Sequence, residues 1–271
     1  MPELPEVEAT RRGLDPWVRG RRVVEVAVRE RRLRWPVPAR LERELPGRVL
    51  AGTARRAKYL LLPAGAGTVL VHLGMSGSLR RVPADAEAGP HDHVDLVLDD
   101  GHALRLRDPR RFGAVLWVTA DPALDPRLAH LGPEPLSDAF DGAYLHVVSR
   151  GRRARVKSVL MDGRVVVGVG NIYASEALFA AGVHPHRAAG RIGRERFDRL
   201  AAAVKDVLAA AIENGGTTLR DYAGVDGRPG GNATRLAVYG RAGEPCLRCR
   251  TPIRLTRRDA RATYHCPRCQ R

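Results

Sequence analysis

Over the first 130 or so positions the apolar residues alternate with polar ones or stand in short runs. Val23-Val24-Glu25-Val26-Ala27-Val28, Thr68-Val69-Leu70-Val71, Val94-Asp95-Leu96-Val97-Leu98 and Leu104-Arg105-Leu106 all have this form. Each is β-branched or of period two, with glycine and proline between, which predicts short strands. Asp99-Asp100-Gly101 has the composition of a hairpin turn. One helix is expected near residues 6–18, where Glu6, Val7, Ala9 and Leu14 precede Asp15-Pro16. The pattern predicts an antiparallel β-sandwich with a leading helix.

Beyond a proline- and glycine-rich linker around 131–140 the period changes. Phe197, Leu200, Val204, Val207, Leu208, Ala211 and Ile212 follow helical spacing up to Gly215-Gly216. A second helix is expected from Ile172 to Ala181, closed by Gly182. Residues 223–235 read as a mobile loop. The expected fold class is α+β, with a β-sandwich domain over 1–131, a helical domain over 132–235 and a β-hairpin over 236–271. No run of about 18 apolar residues exists to span a membrane. Met1-Pro2-Glu3-Leu4-Pro5-Glu6 lacks the basic and then apolar order of a signal peptide. The expected location is a reducing cytosol.

Chemistry enters first at the C-terminal end. Cys246-x2-Cys249 and, sixteen residues on, Cys266-x2-Cys269 use all 4 cysteines of the chain. Paired knuckles at this separation form a four-thiolate zinc site on a hairpin. Two disulfides or idle thiols are the alternatives, and a cytosolic setting disfavours the first. A closed four-thiolate site has no open position, so one structural zinc ion is expected. Arg248, Arg250, Arg254, Arg257, Arg258 and Arg261 make the finger basic and suited to gripping DNA.

Charge sharpens this. Lys plus Arg is 46 against 30 acids, a formal net charge of +16. A field of that sign favours a polyanion such as a phosphate backbone. An arginine-rich solvated surface is the bland alternative. Lys58, Lys157 and Lys205 are the only lysines. An ammonium can be tuned to give and take a proton where a guanidinium cannot, which draws attention to Lys58 and Lys157. Proline at position 2 permits removal of Met1, exposing a secondary amine. An α-amino group has a pKa of about 7.7–8.0 against about 10.4 for lysine, so it is an available nucleophile near neutrality.

Pro2-Glu3-Leu4-Pro5-Glu6-Val7-Glu8, taken with the C-terminal finger, resembles the formamidopyrimidine-DNA glycosylase/endonuclease VIII family. The resemblance covers almost the whole chain. It continues through Arg55-Arg56-Ala57-Lys58-Tyr59, His72-Leu73-Gly74-Met75-Ser76-Gly77 and His91-Asp92-His93-Val94-Asp95. Further matches are Asp108-Pro109-Arg110-Arg111-Phe112-Gly113, Gly168-Val169-Gly170-Asn171-Ile172-Tyr173 and Val238-Tyr239-Gly240-Arg241. The opening Pro-Glu-Leu-Pro-Glu favours the purine-excising branch. Residues 132–235 would then hold the family's helix–two-turns–helix DNA-binding unit.

The resemblance implies a bifunctional glycosylase and abasic-site lyase acting on duplex DNA with oxidised bases, as a monomer without redox or nucleotide cofactor, at the nucleoid. Pro2 would attack the deoxyribose C1′ and expel the base, leaving a Schiff base that undergoes β- and then δ-elimination. Glu3 would shuttle protons to the opening sugar, and Glu6 would support it. Lys58 matches the lysine used in elimination, and Arg261 the arginine of δ-elimination and phosphate contact. Met75, Arg110 and Phe112 match residues that fill the gap left by an extruded nucleotide. Taken alone, Met75 and Phe112 read as core packing. His91, Arg152 and Asn171 fall where the family contacts DNA, although Asn171 could equally be a helix N-cap. Lys157, His72 and Tyr239 are further DNA-contact candidates.

One departure stands out. Where the family's lesion-capping loop commonly carries aromatic residues, this chain has Gly231-Asn232, a change that bears on lesion preference. The rival readings are an endonuclease VIII-like preference for oxidised pyrimidines, a non-catalytic damage-binding zinc protein, and a basic RNA-associated zinc ribbon. With only 5% aromatics, the last has few stacking platforms.

Overall fold

The computed structural model describes residues 2–218, 224–225, 230–258 and 261–271. Met1 and part of the predicted 223–235 loop, including Asp226-Gly227-Arg228-Pro229, lie outside the described residues. The chain divides into two compact units, Met1–Ala129 with Ile212–Ala233, and His130–Ala211 with Thr234–Arg271.

The first unit opens with helix α1, Leu4–Val18, whose buried face includes Leu4, Val7, Leu14 and Val18. Strands β1 (Val23–Val28), β6 (Asp92–Leu98), β7 (His102–Arg107) and β5 (Ser78–Pro83) form one antiparallel sheet in the order β1-β6-β7-β5. Strands β2 (Ala54–Arg56), β3 (Tyr59–Pro63), β4 (Thr68–His72) and β8 (Ala114–Val118) form the other, in the order β2-β3-β4-β8. A short helix α2, Ala39–Glu44, precedes β2. Val26, Leu96, Leu104 and Leu106 of the first sheet share one buried cluster with Leu60, Leu62, Val69, Val71 and Val115 of the second. The alternation in the sequence thus marks the inner faces of a sandwich. Asp99-Asp100-Gly101 turns β6 into β7, with Gly101 at φ 77°.

The second unit holds α3 (Gly142–Ser149), α4 (Val156–Leu160), α5 (Asn171–Ala180) and most of α6 (Arg194–Glu213). Phe197, Leu200, Val204 and Leu208 supply the buried stripe of α6. Gly182 follows α5 at φ 69°, a left-handed closing position that favours glycine. Strands β9 (Arg254–Arg258) and β10 (Arg261–His265) pair antiparallel as the C-terminal hairpin. Glu176 of α5, almost fully buried, accepts the backbone N–H groups of Ala237, Val238 and Tyr239 and so fixes the entry to that hairpin. No helix among the described residues is long and apolar enough to cross a membrane.

Candidate functional site

The predicted N-terminal chemistry lies at the start of α1. Pro2 is buried, and Glu3 is the N-cap. Glu3 and Glu6 close a capping box, in which the Glu3 N–H donates to Glu6 Oε2 at 2.6 Å. Glu6 is 1% exposed and its other oxygen accepts the Thr217 N–H at 2.7 Å. One carboxylate therefore holds both the segment behind Pro2 and the chain entering residues 217–231. Gly216 sits at φ 84°, which favours glycine, and a Cβ there would crowd the Glu6 side chain at 3.0 Å. The two ends of the 217–231 segment are joined: Asn232 Nδ2 donates to Thr217 Oγ1 at 2.8 Å and the Gly230 N–H to Thr218 Oγ1 at 2.8 Å. Asn232, the departure noted in the sequence, is thus a buried tie at the base of the loop.

Lys58 lies in the two-residue turn between β2 and β3, after Ala57 at φ 54°. Its ammonium acts on His72, the cross-strand partner of Tyr59, whose ring lies 4.8 Å away. Burial first, then the charges of Arg34 and Lys58, lower the His72 pKa to about 4. The ring is therefore neutral near pH 7, and its Nδ1 accepts the Gly74 N–H at 3.0 Å. Any contact of His72 with DNA would be made as an N–H donor and not as a cation.

Met75 and Phe112 occupy two exposed loop tips, at 37% and 44% exposure. This excludes the core-packing alternative for both. The Arg110 guanidinium lies 5.0 Å from the Phe112 ring centre. The tips touch at the backbone: a Cβ on Gly74, which has φ 62°, would lie 2.3 Å from the Phe112 carbonyl carbon. His91 joins the same group through its carbonyl, which accepts the Asp108 N–H at 2.9 Å.

In the second unit Lys157, Asn171 and Arg261 line one small hollow together with Arg155, His186 and Thr263. Lys157 is 5% exposed, and its Nζ donates to Ala262 O and Thr263 Oγ1, both at 3.0 Å. Asn171 is the first residue of α5, and Gly170 is the N-cap, so Asn171 does not cap the helix. Its Nδ2 donates to Ala262 O at 3.0 Å and reaches Tyr239 OH at 3.4 Å, while its buried Oδ1 has no hydrogen-bond partner among the described residues. Arg155, Lys157 and Arg261 put three cationic side chains around this polar hollow, the chemistry that suits an anion. Arg152 is exposed in the turn after α3. Arg155 and His186 were not singled out from the sequence, where nothing separates them from other surface cations.

The four cysteine sulfurs lie within 4.8 Å of one another, with Cys246 to Cys269 at 3.9 Å and Cys249 to Cys266 at 3.5 Å. A tetrahedron with Zn–S arms of about 2.3 Å has edges of about 3.8 Å, so the donor set fits one structural zinc ion. The backbone N–H groups of Arg248 and Cys269 approach Cys246 and Cys266 Sγ at 3.4 Å, as suits thiolates. Gln270 Oε1 accepts the Cys266 N–H and its Nε2 donates to Val183 O, buttressing the second knuckle. Arg248 in the first knuckle also reaches the end of α5. Its guanidinium donates to Phe179 O and Ala180 O at 3.2 Å, satisfying the last carbonyls of α5.

Three family models match the chain in order. They describe the formamidopyrimidine-DNA glycosylase N-terminal domain over residues 1–115, the formamidopyrimidine-DNA glycosylase H2TH domain over 131–223, and the zinc finger found in FPG and IleRS over 243–271. A formamidopyrimidine-DNA glycosylase of Syntrophotalea carbinolica is 59% identical over 271 residues, covering 100% of both chains. Among solved structures, a Lactococcus lactis FPG variant in complex with Fapy-dG-containing DNA superposes with a TM-score of 0.93 at 32% identity, covering 100% of each chain. A complex between Lactococcus lactis Fpg and DNA containing an abasic site gives 0.92 at 32% identity over 99% of each.

Proposed function

The chain belongs to the formamidopyrimidine-DNA glycosylase family, and on that premise we propose that it excises oxidised purines, 8-oxoguanine and formamidopyrimidines, from duplex DNA and then nicks the strand. The observation that carries this reading is the end-to-end match, from the Pro2-Glu3 start to the four-cysteine hairpin, to proteins of that name. With Met1 removed, the secondary amine of Pro2 attacks C1′ as the C1′–N bond to the base breaks. The departing base takes up a proton, and Glu3 protonates the ring oxygen as the sugar opens to an iminium. Loss of the C2′ proton expels the 3′ phosphate (β-elimination). A second proton loss expels the 5′ phosphate (δ-elimination), and water releases Pro2 from the iminium. Lys58 and Arg261 serve the elimination steps, Lys58 as a proton carrier and Arg261 as a phosphate partner.

Glu6 holds the nucleophile's segment in place. Met75, Arg110 and Phe112 occupy the space the extruded nucleotide leaves, with Arg110 on the opposite base. The hollow of Lys157, Asn171 and Arg261 takes a backbone phosphate, with His91 and Arg152 adding further contacts and His72 and Tyr239 donating neutral ones. The zinc ion holds the hairpin that carries Arg261 and takes no part in a step. The enzyme works as a monomer in the bacterial cytoplasm, on nucleoid DNA. Matched duplexes carrying either an oxidised purine or an oxidised pyrimidine test the reading. Faster single-turnover excision of the purine supports it, a pyrimidine preference replaces it with the endonuclease VIII-like alternative, and binding without excision leaves a damage-binding protein.

A further inference from the structure

Asp108 closes β7 and is fully buried, yet no ion pair holds it among the described residues. Its carboxylate is taken up by hydrogen bonds from two separate loops. Oδ1 accepts the Ser76 hydroxyl at 2.7 Å and the Arg110 N–H at 3.3 Å, and Oδ2 accepts the Gly113 N–H at 2.7 Å. Ser76, 3% exposed, also accepts the Arg110 N–H at 3.2 Å. The backbone of Asp108 adds a third element: its N–H donates to His91 O and its carbonyl pairs with His93 Nε2, both at 2.9 Å.

The loops so joined come from opposite sheets. Residues 73–77 lead from β4 into β5, and residues 108–113 lead from β7 into β8, so each loop already bridges the sandwich. At their contact there is no room for side chains. A Cβ on Gly74 would meet Phe112 backbone at 2.3 Å, and a Cβ on Gly113 would meet His72 O at 2.8 Å and Asp108 Oδ2 at 2.9 Å. Arg111 takes φ 56° to make the turn that points Phe112 outward. A buried anion is thus ringed by donors whose loops carry Met75, Arg110 and Phe112.

We propose that Asp108, with Ser76, is a positioning residue that locks the Met75 loop and the Arg110–Phe112 loop into one rigid wedge, so that both tips enter the base stack in a single event. This rests on the function proposed above and concerns a residue that touches neither substrate nor reacting atoms. Without the lock each tip must be ordered separately after contact with DNA, and nucleotide extrusion slows while chemistry at Pro2 does not.

Ser76→Ala and Asp108→Asn are compared with wild type on two duplexes. One carries 8-oxoguanine paired with cytosine. The other carries the same lesion in a one-nucleotide bulge, where it is already unstacked. 2-Aminopurine beside the lesion reports unstacking independently of excision. A hydrogen bond to a buried carboxylate sets the expected scale, a loss of about tenfold in single-turnover rate and in the fluorescence rise for Ser76→Ala on the paired duplex, and more for Asp108→Asn. The bulged duplex should be cleaved within about twofold of wild type. Equal losses on both duplexes would overturn the proposal, as would no loss on either. If Asp108→Asn does not fold, Ser76→Ala decides alone. A wild type that raises 2-aminopurine fluorescence but excises neither lesion would remove the glycosylase reading and leave the wedge to be judged on the fluorescence alone.

Discussion

Replacing Glu6 by glutamine is the most informative single change near the N-terminus. The side chain is isosteric and buried, and its two oxygens accept two backbone N–H groups, from Glu3 at 2.6 Å and Thr217 at 2.7 Å. In Glu6→Gln one acceptor becomes an NH2 that faces an N–H donor, so whichever way the amide turns, one buried N–H loses its partner. A hydrogen bond to a charged group contributes about 1.5–3 kcal/mol, and an unsatisfied buried donor costs about the same. The two figures describe one loss, so the expected cost is about 2–3 kcal/mol. Expressed as stability, that lowers Tm by about 4–12 °C for a unit of this size. Expressed wholly in the reaction barrier, it slows covalent trapping by roughly 30- to 150-fold. Calorimetry and single-turnover borohydride trapping on the same preparation read both quantities. Glu6→Asp, too short to span both partners, should lose a similar amount. A Glu6→Gln protein with wild-type Tm and trapping rate would refute the view that this carboxylate clamps the nucleophile's segment.

Three further outcomes are expected. The His72 pKa of about 4 lies below its unfolded value of about 6.5, so its contribution is intact above pH 6.5 and is lost as pH falls toward 4, by at most about 3 kcal/mol; NMR titration should find the ring neutral at pH 5.5, and Lys58→Met should raise its pKa. Arg105→Met takes the Arg105 pair at 2.8 Å from Asp95, 1% exposed, leaving it the Arg29 bond at 2.7 Å as its one ion pair among the described residues, and should cost about 3 kcal/mol by chemical denaturation; Asp95→Leu combined with it should recover most of that loss. Chelation should release one zinc per chain and make all four cysteines reactive to a thiol reagent; DNA binding should fall with the zinc and return when it is restored.

The elements legible in the sequence are those whose signal is local. The α6 stripe from Phe197 to Ile212, the Gly182 end of α5, the turn at 99–101 and the cysteine knuckles each follow from spacing alone. Strand pairing is not local, and β1 finds its partner β6 some 70 positions away, which no alternation pattern encodes. Short α2 and α4 lack the length for a helical period to register. Among site residues, Met75 and Phe112 read alone as core packing, yet Gly74 and Gly113 beside them sit at a backbone contact too close for side chains and leave both as exposed tips. The carboxylates that organise the site were less visible. Asp108 stood within a quoted motif with no role, because its work depends on a hydroxyl 32 positions back. Arg248 is a further case: the sequence offers only its charge, and the fold sets its guanidinium on the last carbonyls of α5.

The central claim is that the amine of Pro2 is the nucleophile. Borohydride trapping on a duplex with 8-oxoguanine opposite cytosine, followed by mass mapping of the adduct, tests it most directly, with Pro2→Gly alongside. The account predicts an adduct on a protein lacking Met1, attached at Pro2 and strongly reduced in the variant. An active protein that retains Met1, an attachment mapped to Lys58 or Lys157, or undiminished trapping by Pro2→Gly would contradict it.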